Sequence, residues 1–297
     1  VEWELSKAIA IARDGRPGPV LIDLPDDLQR SNVEQQKFTP IACHPFHESD
    51  APVDEILQEL NRAKRPLFIF GSAVGDVPAA REIMFNLGIP CVTTWGALDR
   101  FGDFPLCFGG FGTHGVRYAN FAVQNADYIV TVGTRLDTKA TGSPASAFAP
   151  KARLVMVDID EAELGKMTRI GRPLYRAVRS DAAEFLSSLR QAASTYASYN
   201  DAFDGPNWEQ ALSSDWVQQC VAWREKYGAV LPAYASERLN PYTFVSKLGE
   251  WLRPDDVIVS DTGCALGWMM QAFKFNGQRF LHAFNNTPMG YGLPAAV

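Results

Sequence analysis

Three short apolar runs, each ending in glycine or aspartate, constrain this chain more than any other feature. Pro66-Leu67-Phe68-Ile69-Phe70 ends at Gly71, and Tyr128-Ile129-Val130-Thr131-Val132 ends at Gly133. Arg153-Leu154-Val155-Met156-Val157 runs into Asp158-Ile159-Asp160. Runs of this length, separated by helix-length stretches, suit parallel strands buried on both faces. Glycine and aspartate at their ends line the carboxyl edge of such a sheet, where ligands of open α/β folds bind. Between the first two runs lies Gly112-Thr113-His114-Gly115-Val116-Arg117-Tyr118-Ala119-Asn120, a glycine turn leading into a helix. Residues 67–160 therefore read as an open α/β half-domain with a nucleotide-sized crevice.

Upstream, helical apolar spacing over residues 4–12 (Leu5, Ile9, Ala12) precedes a buried strand at residues 18–25. Residues 32–49 are polar and read as a linker. His44 and His47 beside Cys43 invite a metal reading, but no second ligand cluster accompanies them. Ser49-Asp50-Ala51-Pro52 has the capping side chain and proline of a helix start, and Ile56, Leu57, Leu60 and Ala63 form the apolar face. Gly71-Ser72-Ala73-Val74-Gly75 turns into a helix over residues 78–87, stopped by Gly88. That turn lacks the G-x-G-x-x-G spacing, so a nucleotide turn and a plain strand-to-helix turn both stand. Residues 89–94 are the next strand, and residues 95–110 a Gly- and Phe-rich loop expected to face a site. A helical turn starts at Glu161, and Ser180 caps a further helix over residues 181–189.

Residues 191–235 change character and read as a connector with one helix (Trp208, Trp216, Trp223) laid on a surface. Asn240-Pro241 opens a new unit, a capped helix with Phe244, Leu248, Trp251 and Leu252 on one face. A strand over residues 257–261 runs into Thr262-Gly263-Cys264-Ala265, and a second over residues 279–283 runs into a loop, residues 285–294, that enters a helix. Two strand-then-glycine turns imply a second phosphate-handling crevice, because amides at helix starts favour anions.

The totals narrow the class. In 297 residues, 46% hydrophobic, there is material for about two domains with a sizeable core. A net charge of -6 without a basic stripe argues against nucleic acid. No apolar run approaches the ~18 residues of a spanning helix, so no membrane is expected. Five scattered cysteines without a CxxC pair fit reduced thiols in the cytoplasm. The chain starts at Val1 without a methionine and stops directly after a glycine-rich turn, so the native gene is expected to extend at both ends.

Taken together, these stretches resemble the acetolactate synthase group of thiamine diphosphate enzymes. The matching pieces are residues 18–25, residues 112–120, Gly133-Thr134-Arg135-Leu136-Asp137 with Thr141-Gly142, and Val157-Asp158-Ile159-Asp160. Residues 260–263 and Met289-Gly290-Tyr291-Gly292-Leu293-Pro294-Ala295-Ala296 complete the set, in the family's order over nearly the whole chain. The resemblance implies an α/β fold: a Rossmann-like central domain with a parallel sheet, flanked by partial thiamine diphosphate-binding-fold domains. Residues 1–32 would be the tail of the pyrimidine-binding domain and 50–193 the central cofactor domain. A linker with a helix over 194–236 would then lead to the start of the diphosphate-binding domain at 237–297.

The resemblance also implies thiamine diphosphate and Mg2+ held between subunits of a homodimer or homotetramer, and a small 2-keto acid as substrate. In the family the activating glutamate lies early in the first domain and the metal-binding Gly-Asp-Gly beyond the stretch matched here. No catalytic or metal residue is therefore assigned, and these residues alone are expected to be inactive. FAD, or ADP as in related families, is implied in the central domain. Gly112, His114 and Gly115 would lie along it, Gly133, Arg135 and Asp137 on its diphosphate side, and Asp158, Ile159 and Asp181 at the ribose and adenine. Gly263, Cys264 and Ala265 would meet the diphosphate of thiamine diphosphate. The Thr287 carbonyl would take a hydrogen bond from the cofactor's pyrimidine amino group, with Met289 as the apolar wedge beneath its bend. The alternatives are a buried, hydrogen-bonded His114, an ordinary surface Arg135, a core Met289 and a Cys264 that is merely small in a tight turn.

The chain departs from the family at Gly71-Ser72-Ala73, where three glycines are usual, at Lys139, where a second arginine is usual, and at Cys264-Ala265, where Gln-His is common. The first two bear on whether FAD or ADP is held, and the change at Cys264-Ala265 points to a different keto-acid or aldehyde substrate. The implied reaction is decarboxylation with carboligation. Its rivals are decarboxylation with a proton as acceptor and a non-catalytic nucleotide-binding module.

Overall fold

The computed structural model describes residues 2–32, 39, 41, 51–199, 208–236 and 239–297. They belong to two compact units, Val1–Ser49 and Asp50–Val297. Cys43, His44, His47, Ser49 and Asp50 lie outside the described residues.

The first unit contains α1 (Glu2–Arg13) and α2 (Asp26–Gln29). The expected strand at residues 18–25 has no ladder partner among the described residues, and Leu21 is 96% exposed. A strand exists only through its neighbour's hydrogen bonds, so the apolar run alone does not make one. Leu5 and Ile9, read as the inner face of α1, are exposed, and Ser6 and Ala10 are the buried positions.

In the second unit the chain runs α3 (Val53–Arg62), β1 (Pro66–Phe70), α4 (Val77–Leu87), β2 (Cys91–Thr93), β3 (Cys107–Gly110), α5 (Arg117–Asn125) and β4 (Tyr128–Val132). It continues through α6 (Thr138–Thr141), β5 (Arg153–Asp158), α7 (Glu161–Arg169), β6 (Arg176–Arg179) and α8 (Ala182–Tyr199). The six strands form one parallel sheet in the order β3-β2-β1-β4-β5-β6. Every residue of β4 is buried, which requires cover on both faces. The helix α3 begins with Pro52 at its N-cap and no side-chain cap, and buries Ile56, Leu57 and Leu60 as its periodicity dictates.

Four local readings change. The loop expected over residues 95–110 holds a 3-10 helix, Trp95–Arg100, and then β3. The edge strand β6 went unread. The cap of α8 is Asp181, whose Oδ1 accepts from Ala183 N and Glu184 N at 2.8 and 3.2 Å, while the Ser180 hydroxyl donates to the Asp181 carbonyl. The boundary placed after residue 193 falls inside α8.

The connector contributes two helices, α9 (Trp208–Leu212) and α10 (Asp215–Lys226), and they belong to the main core rather than lying on it. Trp216 is buried and its indole N–H donates to the Pro66 carbonyl at 2.9 Å. Beyond them come α11 (Pro241–Trp251), β7 (Val257–Ser260), α12 (Cys264–Ala272), β8 (Arg279–His282) and α13 (Gly292–Ala296). Strands β7 and β8 form a separate parallel pair. Val245, Leu266, Met270, Phe273, Phe275 and Phe280 make a second small core that also takes Leu98 from the segment after β2. On α11, Phe244 and Trp251 are exposed, against the expected inner face, and Val245 is buried instead.

Candidate cofactor-binding site

The sheet order reverses direction between β1 and β4, which makes their carboxyl ends a topological switch point, where ligands of open α/β folds bind. Two glycines make the meeting of the two turns possible. A methyl group on Gly71 would lie 2.1 Å from the Gly133 carbonyl oxygen, and one on Gly133 (φ +64°) would lie 2.4 Å from the Ala73 carbonyl carbon. The Ala73 N–H donates to the Gly133 carbonyl at 3.1 Å. Residue 71 is therefore required to be glycine by backbone packing alone.

Past Gly133 the chain is tightly specified. Leu136 takes a left-handed conformation (φ +45°), and Asp137 caps α6 by accepting from Lys139 N and Ala140 N at 2.9 and 3.1 Å. Between them Arg135 projects with its side chain 43% exposed, and its guanidinium stands 3.8 Å from the outer Asp137 oxygen. Lys166 on α7 donates to the Arg135 carbonyl at 2.5 Å and also pairs with Glu163. One strand over, Asp158 accepts from Asp160 N at 2.9 Å, and Ile159 beside it is half-buried. Asp181 follows β6 as the cap of α8. Arg135, Asp158 and Asp181 thus stand at the ends of β4, β5 and β6, neighbours along one edge.

The turn with Gly112, His114 and Gly115 is clamped from both sides. Asn120 accepts from Gly112 N at 2.8 Å and donates to the Gly112 carbonyl at 3.1 Å. Thr113 N donates to the Lys139 carbonyl at 2.9 Å, which places this turn against the start of α6. His114 is exposed rather than buried, with Thr113 Oγ1 3.0 Å from its Nδ1 and its ring edge-on to Phe284 at 4.8 Å.

A second loop cluster crowns β7 and β8. Gly263 (φ +85°) precedes α12, whose first amides have no side-chain cap. Cys264 and Ala265 are exposed beside it. Opposite, Thr287 is left-handed (φ +48°) and Met289 is 90% exposed, so Met289 is not a core methionine. Asp261 ties the two loops, accepting from Thr262 N at 2.7 Å, Gly290 N at 3.2 Å and Gly292 N at 3.3 Å. Those amides, that of Thr262 first, hold its carboxyl below the usual carboxylate range.

The two clusters meet through Lys139 and residues to which no role was assigned from sequence. Gln271 Nε2 donates to the His114 carbonyl at 3.2 Å, and Lys139 donates to the carbonyls of Phe284 and Asn285. His282 bonds the Trp95 carbonyl at 3.1 Å, and Phe280 N donates to Asp99 at 3.0 Å. Only Lys139 had a sequence signal, its departure from the family pattern. The others act through the packing of segments far apart in the chain.

Residues 53–189, from the start of α3 into α8, match the family described as thiamine pyrophosphate enzyme, central domain. Over nearly all its length the chain is also similar to acetolactate synthase large subunits. It is 29% identical to the isozyme 2 large subunit of Escherichia coli (strain K12), over 99% of this chain and 50% of that protein. Against the large subunit of Lactococcus lactis subsp. lactis (strain IL1403) the identity is 30%, over 99% and 49%. Against the isozyme 1 large subunit of Escherichia coli (strain K12) it is 31%, also over 99% and 49%. The likeness read from the motifs is therefore shown, and the chain spans about half the length of these curated relatives.

Proposed function

We propose that the full-length protein is a thiamine diphosphate-dependent enzyme that decarboxylates a small 2-keto acid and joins the remaining fragment to a second carbonyl compound. The carrying observation is the similarity to acetolactate synthases over 99% of the chain, with glycine turns following the strands of both parallel sheets. Bound thiamine diphosphate supplies the carbanion chemistry that a protein lacks. The residues here fit its diphosphate half. The uncapped start of α12 presents the amides of Cys264 and Ala265 behind the left-handed Gly263, a cradle for an anion. The Thr287 carbonyl would accept a hydrogen bond from the cofactor's pyrimidine amino group, and Met289 would support the cofactor as an adaptable apolar side chain.

The accompanying Mg2+ is assigned no ligand here, because Asp261 is committed to backbone amides. The central domain holds an adenine cofactor, FAD or ADP, with Arg135 against its diphosphate. The exposed Thr287 and Met289 face a second subunit, in a homodimer or homotetramer. No helix among the described residues is long and apolar enough to cross a membrane, and we place the enzyme in the cytoplasm. The test is the full-length protein with thiamine diphosphate, Mg2+ and a panel of 2-keto acids, followed by carbon dioxide release and mass spectrometry of products. Cofactor-dependent release with a ligation product is expected. Release with aldehyde alone reduces the reading to decarboxylation, and no turnover on any keto acid overturns it.

A further inference from the structure

We propose that the central domain takes an adenosine diphosphate moiety and excludes a flavin. The inference rests on the reading of residues 133–137, 158–159 and 181 as a nucleotide edge, and narrows which nucleotide that edge accepts.

The part of the edge that an ADP moiety needs is open. The Arg135 side chain is 43% exposed and has only a long, 3.8 Å contact with Asp137, so its guanidinium is available to a phosphate. Its backbone is pinned by Lys166, which fixes the strand end without covering it. Asp158 and Ile159 are half-buried beside it.

The part that a flavin needs is filled. FAD is an ADP moiety extended by a ribityl chain and a three-ring isoalloxazine, which by the resemblance runs past the turn of Gly112, His114 and Gly115. There the Thr113 N–H bonds the Lys139 carbonyl, and a methyl group on Gly112 would lie 2.6 Å from that same oxygen. No slot exists between the turn and α6. Toward β8 the ground is held by Phe284, which is 3% exposed. Its ring meets His114 at 4.8 Å and Trp95 at 4.9 Å, and the Lys139 ammonium stands 4.3 Å from its centroid. That ammonium is itself bonded to the Phe284 and Asn285 carbonyls. Turning His114 aside would therefore not admit an isoalloxazine. Phe284 would have to leave a packed site and Lys139 would have to give up two carbonyls. The outer face of His114 is open to solvent and offers one wall, not two.

The experiment uses the full-length protein. Nucleotide released on denaturation is identified by chromatography, and nucleotide-free protein is titrated calorimetrically with ADP and, separately, with FAD. Release without flavin absorbance is expected, with ADP binding at least tenfold tighter than FAD. FAD binding as tightly as ADP overturns the inference and leaves the adenine-nucleotide reading standing. Binding of neither ligand overturns both. Phe284→Ala is expected to raise FAD affinity at least tenfold with ADP affinity unchanged. Should that variant fail to fold, Lys139→Ala makes the same comparison from a less buried position. A folded variant that binds ADP and still excludes FAD as strongly as the parent overturns the assignment of the block to this cluster.

Discussion

Arg135 and Met289 are the two side chains on which the proposed cofactor contacts depend, and both are exposed. Neither contributes to a hydrophobic core. Replacement by alanine should therefore change stability within ~0.5 kcal/mol, as for surface positions generally. Arg135→Ala is expected to weaken ADP binding by ~1.5–3 kcal/mol, the worth of a hydrogen bond to a charged group. Calorimetry on the full-length protein checks this, and an unchanged Kd would move the phosphate elsewhere. Met289→Ala should lower turnover about a hundredfold, since misplacement of ~1 Å at a reacting centre can cost that much. It should leave the melting temperature unmoved. Full turnover in that variant at saturating thiamine diphosphate would remove Met289 from the site. The left-handed Thr287 belongs with them: its conformation is unusual for a non-glycine residue, and strained positions gather at ligand clamps.

At the scale of elements, caps and periodicity decide what forms. Asn240 accepts from Tyr242 N and Thr243 N at the start of α11, so Asn240→Ala should destabilise the small second core by ~1 kcal/mol. Thermal unfolding monitored at the C-terminal helices would read this, and an unshifted transition would show the cap to be idle. The capping pattern at Asn240-Pro241 was legible in the sequence, as were β1, β2, β4 and β5, because buried strands are continuous apolar runs. The edge strands were not. The β3 sequence Cys-Phe-Gly-Gly has little strand preference and pairs with β2 through a register irregularity, and β6 reads Arg-Ala-Val-Arg. Both exist because a neighbouring strand offers a ladder, a fact of tertiary structure. Residues 18–25 are the converse: an apolar run read as a strand that finds no ladder partner among the described residues. Within the site, Gly71 and Gly133 were visible as strand ends, and Gly112 and Gly115 as a turn leading into a helix. Gln271, Phe284 and His282 were not, since nothing local marks a side chain whose partner lies over 150 residues away.

At the scale of the whole second unit, function depends on the sheet domain and the β7–β8 unit holding one arrangement, and His282 makes that arrangement sensitive to pH. Its Nε2 lies 3.1 Å from the Trp95 carbonyl, and its Nδ1 accepts from Phe284 N at 3.3 Å. A donor at one nitrogen and a lone pair at the other define the neutral Nε2–H tautomer, an assignment made from the partners. Burial lowers the affinity of this imidazole for a second proton, against the pull of the Trp95 carbonyl and the nearby Asp99 carboxylate. Protonation would also set an N–H on Nδ1 against the Phe284 N–H. The unfolded chain takes up that proton near pH ~6.5, whereas the folded chain resists it until the pH is lower. Between those two points the unfolded state binds more protons, so stability falls as pH falls, and above the unfolded value the contribution is constant. The expected outcome is a melting temperature whose His282 contribution is flat above about pH 7 and declines as the pH drops below about 6.5. Faster amide exchange at Phe284 should accompany the decline. His282→Gln should flatten the profile in that window, because glutamine does not titrate. An identical slope in parent and variant would place the acid sensitivity on another group and leave His282 as a purely structural bridge between Trp95 and the loop that carries Thr287 and Met289.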